Sequence, residues 1–322
     1  MTSKPLAILA DIGGTNTRVA LADGKALRQG SIAKFSNADF PSLEPILTTY
    51  LAERGIAKTD GVCVAAAGPV EDGVARMTNL SWVIDDALLR RATGAARISI
   101  LNDLQAQGHA LGHIAPELLR PLIAAPAKPG GSMLVVGLGT GVNAAPVHQA
   151  PGGRIVPPSE CGHISMPIRN ERDLRLARFV ETHGDHAHGF AGVEDVQARR
   201  GLERLYAFVT AEAGAPENRS SAQIMAALAR GEPQALDAGR LYTGILGSNL
   251  GNLALIHLPF GGIFLIGGMA RAMTPYLAML GLAAAMHDKG RFASFLKAFP
   301  VWVVEDDFAA LTGCAAHLDA QA

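Results

Sequence analysis

The segment "ILADIGGTNTRVALADG", Ile8 to Gly24, begins as strand-forming residues, breaks at an acid, two glycines, Thr, Asn and Thr, and then resumes as strand. A second segment, "SMLVVGLGTGVNAAPV", repeats that order: an apolar run, then Gly139-Thr140-Gly141, then strand-like residues from Ala144 to Val147. A glycine turn between strands can aim backbone N–H groups at a phosphate, because no Cβ obstructs the approach and positive φ carries no penalty. Two such units in one chain suggest an internally duplicated α/β architecture. Neither turn leads into a helix and no Gly-Lys-Ser/Thr occurs, so neither a P-loop nor a dinucleotide fingerprint fits.

The 322 residues, 49% of them hydrophobic and 18% charged, suffice for two domains with ordinary cores. Twenty-eight basic against 29 acidic residues leave a net charge of -1, and no basic run interleaved with aromatics occurs, so no nucleic-acid partner is expected. Cys63, Cys161 and Cys314 form no C-x-x-C pair, which argues against a disulfide framework and a thiolate zinc site and favours the cytoplasm. The apolar opening is cut short at Asp11, and the run from Leu250 to Ala270 is divided by His257, Pro259, Gly261 and Gly262, so neither a signal peptide nor a membrane span is expected.

Periodicity predicts strands at Leu6–Ala10, Arg18–Ala22, up to Phe35, at "GVCVAAAG" and at "RISIL", with helices from about Phe40 to Arg54 and from Asp85. A helix follows Asp103, and "AAPAKPGG" reads as a linker or flap. The second half predicts helices over Arg172–Thr182, Glu194–Ala213, Ser221–Arg230 and Pro233–His257. Strands at "GIFLI" and "VWVVE" and a closing helix from about Phe308 to Leu318 complete the chain.

Asp11 ends a strand beside the glycines, where a carboxylate can hold Mg²⁺ directly or through water, and Thr15, Asn16 and Thr17 add polar groups. Gly267-Gly268, between a strand and a helix, is placed for an adenosine. Asn102 and Asp103 close a hydrophobic strand before a helix; both residue types are preferred helix caps, so capping and general-base catalysis stand side by side. Glu160 and His163 share a tight turn in "PPSECGHISMP", suited to vicinal hydroxyls. His183, His186 and His188 in "THGDHAHGF" read as a solvated turn rather than a metal cluster, and Glu194 opens a helix.

Taken together, these residues resemble bacterial glucokinases of the proteobacterial type, in the sugar kinase, Hsp70 and actin superfamily. The resemblance runs nearly end to end through Asp11-Ile-Gly-Gly-Thr-Asn16, "MTNLSW", Leu101-Asn102-Asp103, Gly139-Thr-Gly141, Glu160-Cys-Gly-His163, "GRLYTGILGSNLGNLAL", "GGIFLIGG", "DKGRF" and "LTGCAAHL". It implies an α/β fold with two ribonuclease H-like, actin-like ATPase domains flanking a cleft: a small domain of residues 1–103 rejoined by 308–322, and a helix-rich domain of 104–307. It also implies ATP and Mg²⁺, phosphorylation of the glucose 6-hydroxyl, and a homodimer.

Carried over by position, Asp103 is the catalytic base, and Asn102, Glu160, His163 and Glu194 are sugar ligands with it. Asp11, Gly13, Gly14, Thr15, Asn16, Thr140 and Gly141 serve the phosphates, and Gly267 and Gly268 the nucleoside. Asn143 and Cys161 stand where the family carries glycines, and Ala198-Arg199-Arg200-Gly201 replaces the usual S-G-P-G turn. These departures keep open a kinase for another hexose or an amino sugar, or a weakly active sugar-binding or regulatory relative. The thiolate zinc motif of the related repressors is absent, so no structural metal is expected, and a chain starting at its first strand without DNA-binding helices speaks against a regulator.

Overall fold

The protein is described here by a computed structural model covering residues 4–77, 80–183 and 189–321. The chain has a mixed α/β fold and divides into two compact units, one of residues 1–116, 147–158 and 306–322, the other of 117–146 and 159–305. Thr78 and Asn79 of "MTNLSW", and His186 and His188, lie outside the described residues.

The first unit is built on β1 (Leu6–Ile12), β2 (Asn16–Asp23), β3 (Ala26–Leu27), β4 (Ala33–Ser36), α1 (Leu43–Ala52) and β5 (Gly61–Ala66). Three short strands follow, β6 (Val70–Glu71), β7 (Val74–Arg76) and β8 (Val83–Ile84), then α2 (Asp86–Thr93), β9 (Arg97–Asn102) and α3 (Asp103–Ala110). The main sheet runs β3-β2-β1-β5-β9, with β4 also on β2; β1 and β2 are antiparallel, whereas β1, β5 and β9 are parallel.

Parallel strands buried on both faces need apolar residues at nearly every position, and "LAILADI" and "GVCVAA" supply them. Ile8, Ala10, Val62 and Val64 face one core, covered by Leu43, Ile46, Leu47 and Tyr50 of α1 and Leu88 and Leu89 of α2. Ala7, Leu9, Cys63 and Ala65 face the other, covered by Ala106 of α3 and by Leu311, Cys314 and Leu318 near the C-terminus.

The second unit contains β10 (Leu119–Ile123), β11 (Met133–Leu138) and the start of β12 (Val142–Ala150), whose far end pairs with β13 (Gly153–Ile155) in the first unit. Its helices are α4 (Glu171–Thr182), α5 (Val193–Gln197), α6 (Arg199–Glu212), α7 (Ser221–Ala229) and α8 (Pro233–His257). After β14 (Gly262–Ile266) come α9 (Gly268–Leu277), α10 (Leu282–His287), α11 (Ala293–Leu296) and β15 (Val301–Val304), and α12 (Ala309–Ala320) ends the chain in the first unit. The order β10-β15-β14-β11-β12 repeats the first sheet's plan: a glycine hairpin followed by two strands parallel to its first arm.

Three expectations change in detail, and one small sheet is new. The helix expected over 194–213 breaks at Ala198, the shared cap of α5 and α6, where Arg199 N donates to Gly139 O at 2.9 Å. The stretch "AAPAKPGG" lies wholly within the second unit and is pinned there by Lys128 N to Phe260 O at 2.8 Å, so it does not link the two. The first unit is larger than residues 1–103: α3 stays with it, because α12 packs so closely that a Cβ on Gly313 would lie 1.7 Å from Ala106 O. The β6–β7–β8 sheet is an addition, too short in each strand to show a period.

Candidate active site

In the first unit the strand register brings the expected residues to one edge. Asp11 pairs with Ala65 and Asn102 with Ala66, so Asp11, Asn102 and Asp103 come off the carboxyl ends of neighbouring parallel strands, where α/β sheets bind ligands. Beside them the Gly13–Asn16 turn is closed by Gly13 N donating to Asn16 O at 3.0 Å. Asn37, which sequence reasoning missed, fixes it from below: Asn37 Nδ2 donates to Gly13 O at 2.8 Å, and Asn37 Oδ1 accepts from Thr17 Oγ1 at 2.7 Å. Thr15 Oγ1 accepts from Asn16 Nδ2 at 2.8 Å.

Asn102 does cap α3: its Oδ1 accepts from Leu104 N at 2.9 Å and Gln105 Oε1 accepts from Asn102 N at 3.1 Å, a reciprocal capping box. Its Nδ2 donates to Gly68 O at 3.1 Å. Asp103, at the first helical position, is exposed, and its Oδ1 accepts from Leu104 N at 2.8 Å. A carboxylate at a helix N-terminus is held in place there by the helix dipole.

In the second unit the Gly139–Gly141 turn is closed by Gly139 N donating to Gly141 O at 2.9 Å. None of Gly13, Gly139 and Gly141 has a left-handed φ; what these glycines contribute is the missing side chain. Nothing stands within 4 Å of where a Cβ on Gly139 would lie. Gly267 is left-handed (φ +97°) and packs so closely that a Cβ would lie 2.4 Å from Leu138 O, which seats the start of α9 beside the hairpin.

Glu194 Oε2 accepts from Val142 N at 2.8 Å, tying one expected sugar ligand to the Gly139–Gly141 hairpin. Glu160 and His163 are exposed on a single 3-10 turn, and the segment after His163 bridges to that of Glu194 through Ser165 and Gly192.

The departing residues knit together. Asn143 Oδ1 accepts from Ala144 N at 2.8 Å, Ser159 Oγ at 3.0 Å and Cys161 N at 3.2 Å, while its Nδ2 donates to Ser159 O and to Glu160 Oε2. Asn143 thus braces the hairpin against the Glu160 turn. Arg199 and Arg200 are exposed at the start of α6.

A metal site made of protein ligands alone is not built here: among the described residues no three His, Cys, Asp or Glu converge. Asp11 has a side chain 17% exposed, and Arg18 Nη1 bonds its Oδ2 at 3.2 Å, leaving Oδ1. A single, half-engaged carboxylate fits a Mg²⁺ ion that arrives coordinated by phosphate oxygens and water.

A glycine hairpin in each unit, the first with an acid and an exposed carboxylate at the strand ends beside it, is the arrangement of a phosphotransferase acting on an alcohol. A family profile described as glucokinase matches residues 8–321. The glucokinase of Shigella flexneri serotype 5b is 32% identical over 314 residues, covering 97% of this chain and 96% of that protein. A crystal structure of glucokinase from an Antarctic psychrotroph superposes with a TM-score of 0.87 at 28% identity, covering 98% of both chains. A glucokinase from Balamuthia mandrillaris in complex with glucose shares the fold at a TM-score of 0.79 and 22% identity, over 98% of this chain and 93% of that one. The chain belongs to the glucokinase family and is an ATP-dependent hexose kinase.

Proposed function

We propose that the protein transfers the terminal phosphoryl group of ATP to the 6-hydroxyl of glucose, with Asp103 as the general base. The observation that carries the base is its setting: an exposed carboxylate at the first position of α3, on the same sheet edge as the Gly13 hairpin. Asp103 takes the proton as the hydroxyl oxygen attacks in line, a role that needs positioning more than raw basicity.

Asn102, Glu160, His163 and Glu194 bind the sugar hydroxyls with Asp103, and a sugar lacking a matching hydroxyl leaves their polar groups unpaired. Gly13, Gly14, Thr15, Asn16, Thr140 and Gly141 present backbone and hydroxyl groups to the phosphates, and Gly267 and Gly268 flank the nucleoside. Asp11 would hold Mg²⁺, which would supply charge neutralisation for the transferring group.

In this reading the small and large domains of the resemblance close over the substrates and exclude water, the competing acceptor. The three free cysteines support a reducing cytoplasm, and among the described residues no helix is long and apolar enough to cross a membrane. A homodimer through the helical second unit is supported by its exposed Ile256, Met279 and Phe292, and sedimentation tests it.

One observation favours a second reading. Arg199 is bound through its backbone to Gly139 and exposed with Arg200, so two cations border the site where the family has a compact turn. They would discriminate against a cationic amino sugar and leave another neutral hexose as the alternative substrate. An ATP-coupled assay over glucose, mannose, fructose and glucosamine decides: glucose preferred in kcat/KM supports the first reading, mannose or fructose preferred supports the second, glucosamine preferred contradicts the role given to the two arginines, and turnover of none removes both readings.

A further inference from the structure

The first unit contains a cavity of about 420 Å³ lined by none of the residues assigned to the reaction. Its walls are the end of α3 with His109, the following turn with His113, the β12–β13 hairpin with Arg154, Lys25 after β2, and the last turn of α12 with His317 and Asp319. Lys25 and Arg154 face one acid, Asp319, and neither cation has an ion-pair partner among the described residues.

Arg154 is the informative residue. Its Nη1 donates to His109 O at 2.8 Å, but its Nε is buried with no hydrogen-bond partner among the described residues. Burial pushes its guanidinium pKa down, the mark of a charge removed from water without a counter-charge. Gly112 (φ +79°) makes room for it: a Cβ there would lie 2.7 Å from Nη2.

The imidazoles add polar ring nitrogens. The His109 and His317 rings lie 4.3 Å apart, and His317 Nε2 lies 2.8 Å from Ser99 Oγ and 2.9 Å from Gln321 Nε2. Lys25 and Arg154 both lie near enough to His113 to lower its pKa, below the effect of burial.

We propose that this cavity binds a phosphate dianion, either free phosphate or the phosphate of a small monoester. Two cations against a single acid, with imidazole nitrogens beside them, match such a ligand, and the volume exceeds phosphate enough to admit a short organic arm. A cation or an apolar molecule would find the wrong charge or too many polar groups.

Imidazole NMR of the full chain, titrated with inorganic phosphate and separately with glycerol 3-phosphate, tests this. The His109, His113 and His317 signals are expected to shift saturably. Lys25→Gln and Arg154→Gln should each weaken binding by roughly tenfold, the scale of one charge-assisted hydrogen bond, and Asp319→Asn should tighten it. Asp319→Asn keeps the test decisive even where Arg154→Gln fails to fold. Tighter binding of the ester identifies a phosphomonoester as the ligand; equal binding identifies free phosphate. Stationary signals for both probes up to about 10 mM, where even a weak specific site fills, would overturn the proposal. So would movement of His163 alone, or an Asp319→Asn variant that binds no better.

Discussion

The Glu194 carboxylate accepts the backbone N–H of Val142 at 2.8 Å, and a Cβ on Gly141 would lie 2.7 Å from the same oxygen. A residue proposed to bind the sugar therefore also shapes the hairpin proposed to bind the phosphates. Glu194→Ala is expected to raise KM for ATP as well as for glucose, by roughly tenfold for the lost charge-assisted bond. Glu194→Gln, which keeps an acceptor, should spare the ATP side. Steady-state kinetics with each substrate varied in turn gives the answer; an Ala variant altered for glucose alone would separate the two roles.

Asn143 anchors three donors at once. Its replacement by Ala leaves the N–H groups of Ala144 and Cys161 without that acceptor and frees the Glu160 turn. A loss of about 1–3 kcal/mol is expected, from hydrogen bonds worth ~1 kcal/mol each, together with a raised KM for glucose. Chemical denaturation and kinetics on one preparation check both; unchanged stability would mean that the brace is redundant.

How much of this was readable beforehand depends on whether the cause was local. The β1–β2 hairpin was legible because its apolar runs and its turn lie next to each other in the chain. Asn37 was not, since nothing around it marks a partner of Thr17 and Gly13, 20 and 24 positions back. The break at Ala198 was hidden for the same reason: "VEDVQARRGLERLYAF" has continuous helical character. The chain turns there because Gly201 packs where a Cβ would lie 2.4 Å from the Val196 carbonyl carbon.

The site divides likewise. Asn102 was readable as a cap or as a ligand, and its capping box is now plain. Asp103 beside it lies exposed at the first position of α3, just past the last β5–β9 pair, a place that no sequence period announces.

Burial raises the Asp11 carboxyl pKa above its ordinary value, with Arg18 opposing. A raised folded pKa favours the protonated form, so the associated stability is present at low pH and is lost as pH rises through the folded pKa. Asp11→Asn should therefore raise Tm at neutral pH while raising KM for Mg-ATP by roughly tenfold, the scale of a lost charge interaction. Calorimetry and kinetics on the variant measure the two effects; a fall in both Tm and KM would contradict the assignment.

The buried His109 imidazole is pushed down to about 3, by burial first and by His317 and Arg154 after it. A depressed folded pKa means that stability is complete above the unfolded value near 6.5 and is lost as pH falls, because the unfolded chain takes up a proton the fold refuses. The loss reaches about 2 kcal/mol by roughly pH 5. His109→Gln should flatten the slope of stability against pH over that window, whatever it does to stability at neutral pH. An unchanged slope would place the acid sensitivity elsewhere.

The most direct test of the account is Asp103→Asn, assayed for glucose binding by calorimetry and for turnover with ATP. The amide keeps the shape of the side chain but cannot accept the hydroxyl proton. Binding within a few-fold of the parent and turnover lower by roughly 10² or more, the usual scale for a lost general base, is the predicted result. Turnover close to that of the parent would contradict it.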